Sequence, residues 1–449
     1  MTSAHTVVVG AGIAGLACAT ELVARGDGDV RVLEAATRAG GAAQTVRRGE
    51  YTIERGPNTV RGNAALAALA DAAGLALVEA RRAPPYVVSN GALVPVPPPL
   101  RTLLSGSFVP WSGLASILAE PLRPVRAGPK SVRALVEERF GTTVAERFAD
   151  LLTLGIYGTS ADQVGFESAF PELAASLEQA GGRFARLALQ RLLARGAAPT
   201  RGSAPTQMGV VSTPLGLGGL CAGLASRLGE RLRLSTPVLR ARGRTGAFEL
   251  EVGGAEPAKL ACRRLVLAIP AAAASRVLEL PGVPALLERY RDVPQVLVTF
   301  ALEDPACAER WRGLGFLVPS RERLPLLGCL FPSNLFDGRA PRGTLLLSVF
   351  AAPALHPASD EEIARALAPL LARLLGAVRE PELLDVARYP EGIPLYDVEH
   401  RARTRELRAT LEAAHGPILC GVGYDGVAFA AAARSGIAAA RAVLEAAPR

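Results

Sequence analysis

An α/β fold organised around an N-terminal βαβ unit is what this chain of 449 residues predicts, on three observations. Thr6-Val7-Val8-Val9 is a β-branched run suited to a strand buried on both faces. Gly10, Gly12 and Gly15 follow it at GxGxxG spacing, and a second strand, Val30 to Leu33, ends on the acid Glu34. The three glycines serve different ends. Gly10 permits a tight turn, Gly12 lets a pyrophosphate approach the backbone, and Gly15 lets the next helix lie close to the sheet. Ala11, Ile13 and Ala14 complete the loop, and the helix Ile13 to Arg25 directs its N-terminal amides at the phosphates. After the turn Gly26 to Asp29, Glu34 is placed to accept bonds from adenosine ribose hydroxyls. A plain turn in an ordinary α/β domain would show the glycines without this order of strand, helix, strand and acid.

Arg38-Ala39-Gly40-Gly41 directly after the acid resembles the second fingerprint of FAD-containing oxidoreductases, which favours FAD over a nicotinamide dinucleotide. With 49% hydrophobic residues the chain can bury a large core in more than one domain. The net charge is +8, but lysine occurs only at 130 and 259, so the charge is carried almost entirely by arginine in an alanine- and proline-rich texture. No basic run is interleaved with aromatics, so no nucleic-acid partner is expected, and attraction to anionic membrane surfaces stays open. The six cysteines are scattered without CxxC or Cys/His metal spacing, which fits a reducing, cytoplasmic location and no metal. Only Met1 to His5 precede the first strand, so no cleaved signal peptide is expected. No stretch reaches the roughly 20 apolar residues of a membrane span, so membrane contact would be peripheral, at the inner face.

Along the chain, Tyr51 to Thr59 reads as a strand entering a turn at Gly56-Pro57, either a plain connection or a set of amides facing an anionic or flavin group. Asn63 to Glu79 has helical spacing, and Tyr86 to Val96 reads as a hairpin around Asn90-Gly91. Pro95 to Pro129 combines prolines, Trp111, apolar side chains and arginines, as an interfacial patch or a core-packed linker would. Helices are predicted over Ser131 to Phe140, Thr143 to Leu154 and Glu172 to Arg195, and Gly196 to Gly209 reads as a flexible connection. Gly216 to Gly219 reads as a turn before a helix over Leu220 to Leu228. Strands follow at Leu232 to Leu234, Val238 to Arg242, Phe248 to Val252 and Arg264 to Pro270, the last of a kind that covers a bound dinucleotide. Val296 to Leu302, Leu314 to Val318 and Thr344 to Phe350 supply a second sheet, and Ser359 to Val378 a helix. Ile418 to Val427 is a strand and glycine-rich turn leading into an alanine-rich helix, Ala430 to Ala446, expected to return to the cofactor domain.

Conventional catalytic groups are sparse. His5, His356, His400 and His415 have no partner at triad or ligand spacing, and Gly-x-Ser-x-Gly is absent. An enzyme of this kind leaves the difficult step to its cofactor. Gly155-Ile-Tyr-Gly158 with Phe170 to Leu173, Gly315 to Pro319, Tyr389 to Tyr396 with His400, and Gly423 to Val427 together resemble the oxygen-dependent protoporphyrinogen oxidase family of the flavin amine oxidase superfamily. The resemblance runs from the first strand to the last helix.

That resemblance implies a discontinuous Rossmann-type FAD-binding domain (1–80, 207–275 and 388–449), a mixed-sheet substrate domain (81–95, 183–206 and 276–387) and a helical, membrane-associating domain (96–182). It implies six-electron oxidation of a porphyrinogen by hydride transfer to flavin N5, with dioxygen as acceptor. No catalytic side chain is assigned. Carried over by motif, Gly10, Ala11, Gly12, Ile13, Ala14, Gly15, Glu34, Arg38, Gly41, Ala42, Gly56, Pro57, Asn58, Thr59, Val238, Val422, Val427, Ala428 and Phe429 line FAD. Gly155, by its carbonyl, and Leu317 and Phe350, by packing, hold the tetrapyrrole. Phe350 stands where the family often has methionine. Pro84-Pro85, with Arg81 and Arg82 upstream, replaces an arginine that in some members pairs with a propionate, and Ala430 to Ala433 replaces an acid and cysteine. Protoporphyrinogen IX is the leading substrate and coproporphyrinogen III the alternative. An amine oxidase or carotenoid-type desaturase, a non-catalytic flavin- or membrane-binding protein, and a homodimer stay open.

Overall fold

The computed structural model of the chain describes residues 2–96, 110–195 and 209–445. It contains two compact units of interleaved segments: Met1–Arg81, Gln207–Asp292 and Ala402–Arg449 in the first, Arg82–Thr206 and Val293–Arg401 in the second.

In the first unit, strands Leu232–Arg233, Val30–Leu33, Thr2–Val9, Ala258–Leu267 and Ile418–Leu419 lie parallel in that order. Val8, Val30, Val32 and Val266 face one apolar cluster, with Leu16 and Leu22 of helix Ile13–Ala24 and Ala433 and Ala440 of helix Phe429–Glu445. Val7, Val9, Leu33, Leu265 and Leu267 face the other, closed by Leu407 and Leu411. This two-sided burial is why the first strand is an unbroken β-branched run. Ala258–Leu267 changes partner along one edge, pairing antiparallel with Ala247–Val252 and then, at Val266 and Leu267, parallel with Ile418–Leu419. Val238–Arg244 and Leu278–Glu279 complete the eight-stranded sheet.

Glycine sets how closely helices approach here. A Cβ on Gly436 would stand 2.0 Å from the Ala14 carbonyl oxygen, so helices Ile13–Ala24 and Phe429–Glu445 meet at backbone contact. Gly216 to Gly219, read from sequence as a turn, instead opens helix Gly216–Leu228. The Glu54 carboxylate accepts from Leu217 N at 3.0 Å and the Thr45 hydroxyl from Gly218 N at 3.0 Å, capping that helix. Side chains at 216 or 218 would come within 2.3 Å of Thr45, so the glycines mark a close approach of the hairpin Thr45–Arg48 and Tyr51–Glu54.

The second unit is built on a seven-stranded sheet ordered Glu382–Pro394, Asp292–Glu303, Thr344–Ala351, Leu326–Leu330, Gly315–Leu317, Pro85–Ser89, Ala92–Pro95. Gly315–Leu317 runs parallel to Pro85–Ser89, whereas the pairs on either side are antiparallel. The hairpin turn sits at Asn90 and Gly91, both with positive φ (52° and 75°), as a type I′ turn requires. Val298, Phe300, Phe316, Cys329 and Val349 pack on Ile363, Leu367 and Leu371 of helix Asp360–Leu375. Towards the opposite face lies helix Thr142–Tyr157, held where Ser320 N donates to Asp150 Oδ2 at 3.1 Å.

Residues 276–292 lie with the first unit and 388–401 with the second, because Tyr389 to Pro394 continue the edge strand Glu382–Pro394. The described part of 96–182 belongs to the second unit, and residues 97–109 of the apolar Pro95 to Pro129 stretch, like 196–208, are outside the described residues. The helix expected over Glu172 to Arg195 divides into Pro171–Gln179 and Phe184–Arg195, since Gly181 and Gly182 adopt φ of 69° and 72°. No helix among the described residues is long and apolar enough to cross a membrane.

A buried ion pair ties these helices together. Arg139 is 0% and Glu120 2% exposed. The Arg139 guanidinium donates to Glu120 Oε1 (Nε, 2.9 Å) and to the Arg123 and Pro124 carbonyls. Glu120 also accepts from Phe184 N and Ala185 N, 3.0 Å each, at the start of helix Phe184–Arg195. Burial opposes its charge, but the Arg139 hydrogen bond and the two amides outweigh it and hold the carboxyl below its ordinary value. The stabilisation is therefore complete above the unfolded carboxylate range, about pH 4.3, and is lost as pH falls through the lowered folded value. Arg139→Ala leaves this charge without its counter-ion and is expected to cost about 3–5 kcal/mol in denaturant titrations. A loss below about 1 kcal/mol, inside the range of exposed pairs, would contradict this account.

Candidate functional site

The glycine turn of the first unit divides into two crowded positions and one open one. Gly10 has φ +98°, and a Cβ there would stand 2.6 Å from the Ala268 carbonyl oxygen; one on Gly15 would stand 1.9 Å from the Gly10 carbonyl oxygen. Gly12, at φ −67°, would meet nothing within 4 Å. Gly12 caps helix Ile13–Ala24 with no side-chain bond to its first-turn amides, and that turn carries no acid. Open space beside a helix N-terminus with uncapped amides is what a phosphate group fits.

Glu34 follows at the end of the second strand. Its carboxylate accepts from Ala11 N at 2.6 Å and Ala36 N at 2.8 Å, so it braces the glycine turn, an arrangement the ribose reading did not include. Arg38 donates to the carbonyls of Ala39 (3.2 Å) and Gly41 (2.7 Å), Gly40 N donates to Ala11 O (2.8 Å), and Gly12 bridges Gly40. The loop 38–42 is thereby bonded to the glycine turn. Gly56 lies against it, where a Cβ would come 1.9 Å from the Ala42 carbonyl oxygen. Asn58, buried beside the half-buried Pro57 and Thr59, donates back to Gly56 O at 3.1 Å. Val238 stands where Thr236 N donates to Glu34 O (2.7 Å), at a register shift of its strand.

The turn before the last helix meets the first helix. A Cβ on Gly421, φ +118°, would touch Ala14 Cβ at 3.7 Å. Val422 and Val427 are half-buried, Ala428 is exposed, and Phe429 is buried as the first residue of the helix. Ser435, which motif reading passed over, holds this turn: its hydroxyl accepts from Gly421 N at 2.9 Å and donates to Asp425 at 2.5 Å. The available signal was a Ser-Gly pair, 435 and 436, inside an alanine run.

In the second unit the structure brings Gly155, Leu317 and Phe350 together. A Cβ on Gly155 would lie 3.8 Å from Leu317 Cδ2. Leu317 pairs with Gly328, and Gly328 with Phe350, so the three form one row across adjacent strands on the face opposite Phe316, Cys329 and Val349. Gly328 is the residue that motif reading missed; a Cβ there would stand 2.8 Å from the Phe316 carbonyl oxygen and 3.2 Å from Leu317 Cδ2. Gly155 lies in the last turn of helix Thr142–Tyr157. Gly158, in the left-handed conformation at φ 61°, ends that helix and donates to Leu154 O, and among the described residues no backbone amide reaches the Gly155 carbonyl. The side chain of Gln295 packs under Gly158, within 2.5 Å of where a Cβ would be. The motif residues Tyr396 and His400 stack at 3.7 Å, and Gly165 N donates to Tyr396 O at 2.7 Å.

The cysteines supply no reactive thiolate. All six are free and buried, and burial pushes the Cys18, Cys221 and Cys262 thiols up to about 12, which keeps them protonated at neutral pH. No group of three or more metal-ligating side chains occurs among the described residues.

The glycine turn, the open helix N-terminus and the acid that braces them define a dinucleotide-binding type of protein. The chain belongs to the flavin containing amine oxidoreductase family, whose model matches residues 13–444. It is 28% identical over 421 residues to the chloroplastic protoporphyrinogen oxidase of Nicotiana tabacum, covering 88% of this chain and 76% of that one. To the coproporphyrinogen III oxidase of Propionibacterium freudenreichii it is 30% identical over 461 residues, covering 91% and 84%. A crystal structure from Exiguobacterium sp. 255-15, provisionally assigned as a protoporphyrinogen oxidase, has a TM-score of 0.80 at 26% identity and covers 99% of this chain and 100% of that one. These relatives bear out the resemblance read from the motifs, and the protein is an FAD-dependent oxidase.

The glycine geometry separates two variants. Gly12→Val is expected to fold with an unchanged melting temperature yet purify with less than about a tenth of the wild-type flavin absorbance, because its side chain occupies the space where the pyrophosphate approaches. Gly15→Val, whose side chain meets backbone, is expected to lose the fold. Flavin retained by folded Gly12→Val would show that the space beside residue 12 is not the phosphate site.

Proposed function

We propose that this protein oxidises a porphyrinogen to the porphyrin, with protoporphyrinogen IX as substrate and coproporphyrinogen III as the alternative. The observation that carries the reading is the row of Leu317, Gly328 and Phe350 beside the open carbonyl of Gly155. A porphyrinogen is a broad apolar ring with pyrrole N–H donors at its centre. A helix C-terminus offers such donors a carbonyl, and its negative end stabilises the positive charge that develops as hydride leaves a methylene bridge. Leu317 and Phe350 supply apolar contact, and Gly328 leaves the ring its room. When bound, FAD supplies a two-electron acceptor that dioxygen restores, so that three dioxygen molecules take up six electrons and six hydrogens as three hydrogen peroxide. Electron-rich pyrroles release hydride without a strong base, which suits a site whose side chains position rather than titrate.

In this reading Gly10 to Gly15 hold the pyrophosphate, Glu34 the ribose, and Val238 lies at the adenosine end. Arg38, Gly41, Ala42, Gly56 to Thr59, Val422 and Val427 to Phe429 line the rest of FAD. The first unit then serves as the Rossmann-type cofactor domain, and the second unites substrate and helical parts. Trp111, Leu118, Leu122, Leu192 and Leu193, each at least 67% exposed on the second unit, support peripheral attachment of its helices to the inner membrane face.

The test is to supply each porphyrinogen to the yellow protein in air and follow porphyrin fluorescence and hydrogen peroxide. Flavin-loaded protein that yields no porphyrin above the autoxidation blank would refute the proposal, and the ratio of the two rates selects the substrate. Phe350→Ala is expected to lower kcat/KM about 10-fold, the equivalent of roughly 1.5 kcal/mol of lost apolar contact, with flavin content unchanged.

A further inference from the structure

We infer that the carboxamide of Gln295 is a binding group for the substrate, its Oε1 accepting a ring N–H beside the Gly155 carbonyl. The inference rests on the porphyrinogen reading, because that ring presents N–H donors at its centre, to which Leu317 and Phe350 offer only apolar contact.

Strand register places Gln295. Leu297 of strand Asp292–Glu303 pairs with Phe350, the last member of the row Leu317, Gly328, Phe350. Side chains alternate across a sheet, so Gln295, two residues before Leu297, shares the face of the row. Val296 and Val298 take the other face, in the cluster with helix Asp360–Leu375. Helix Thr142–Tyr157 meets the row's face twice. A Cβ on Gly155 would lie 3.8 Å from Leu317 Cδ2, and one on Gly158 would lie 2.5 Å from Gln295 Nε2 and 2.6 Å from Oε1. Helix carbonyls point towards the C-terminus, so the Gly155 carbonyl and the Gln295 carboxamide lie at the same helix end.

The hydrogen-bond accounting of this side chain is incomplete. Gln295 is 8% exposed, and its Nε2 donates to Val293 O at 3.3 Å. A carbonyl can only accept, so this bond fixes which end of the amide is nitrogen. Oε1 accepts from no donor among the described residues, yet the atom is not sealed from solvent. Leaving a buried acceptor unpaired is costly, and an apolar side chain would fill the same space without that cost. Two glycines nonetheless make room for this one. A Cβ on Gly392, in the edge strand Glu382–Pro394, would stand 2.8 Å from Gln295 Cγ, as one on Gly158 would meet the carboxamide.

The chemistry of the ring decides what such an acceptor discriminates. A porphyrinogen carries an N–H on every pyrrole, and its saturated methylene bridges let each pyrrole tilt its N–H out of the mean plane towards the sheet. The porphyrin is planar, keeps half of those hydrogens and turns them to the ring centre. An acceptor at 295 therefore favours the substrate over the product.

The experiment measures kcat/KM for protoporphyrinogen IX and the inhibition constant of protoporphyrin IX on the flavin-loaded protein. Wild type is compared with Gln295→Met, Gln295→Asn and Gln295→Glu, each checked for melting temperature and flavin content. Gln295→Met removes the acceptor at similar length, and Gln295→Asn withdraws it by one methylene, a second route should the apolar variant not fold. Both are expected to lower kcat/KM about 5-fold while porphyrin inhibition changes less than about 2-fold. Gln295→Glu keeps an acceptor oxygen at the same reach and is expected to recover kcat/KM to within about 2-fold of wild type. Folded Met and Asn variants with unchanged kcat/KM, equal weakening of porphyrinogen and porphyrin, or a Glu variant as weak as the Met variant overturns the assignment. Wild type that makes no porphyrin above the autoxidation blank overturns the porphyrinogen reading instead.

Discussion

Backbone-to-backbone contact at glycine is the constraint on which the first unit depends. Gly15 lies so close to the Gly10 carbonyl that no side chain fits between them, and Gly436 stands in the same relation to Ala14. The first helix is therefore pressed against its own strand on one side and against the last helix on the other. Everything else in the cradle hangs on that placement. Glu34 reaches Ala11 N only because the turn is tight, and Gly421 reaches Ala14 only because the last helix lies against the first. A cradle assembled from distant parts of the chain needs such rigid joints, since small displacements of positioning groups weaken binding and catalysis steeply.

The second unit solves a different problem. It offers a flat apolar row and a helix end instead of a polar cradle, and its polar groups are spent on holding that geometry. Asp150 grips Ser320, Gln295 fills the space beneath Gly158, and the Glu120–Arg139 pair fixes the helices behind. A buried carboxylate such as Asp150 is tolerated because its lone pairs are filled by a guanidinium, two amides and a hydroxyl. These residues act through position.

What was legible in the sequence was whatever local chemistry dictates. A β-branched run, three glycines and an acid at the right spacing lead to the turn geometry observed, and Asn90-Gly91 adopts the positive φ angles its hairpin demands. Gly216 to Gly219 misled because a glycine cluster reads as a turn, whereas these glycines serve an approach by Thr45 and Glu54, more than 160 residues away in sequence. Gly328 carried no local signal at all. Its place between Leu317 and Phe350 depends on strand register, which is set by pairing across the sheet and not by neighbours in the chain. Ser435 sits in an alanine-rich helix where propensity explains every residue except itself and Gly436.

The scarcity of titratable groups follows from the same division of labour. Hydride transfer to a flavin asks first for orientation and a water-poor surface. The row of Leu317, Gly328 and Phe350 offers such a surface, while the six buried cysteines sit in the cores. Apolar contact of this kind discriminates weakly between the substituents of a ring laid against it. Carboxylates are the features by which such rings differ most.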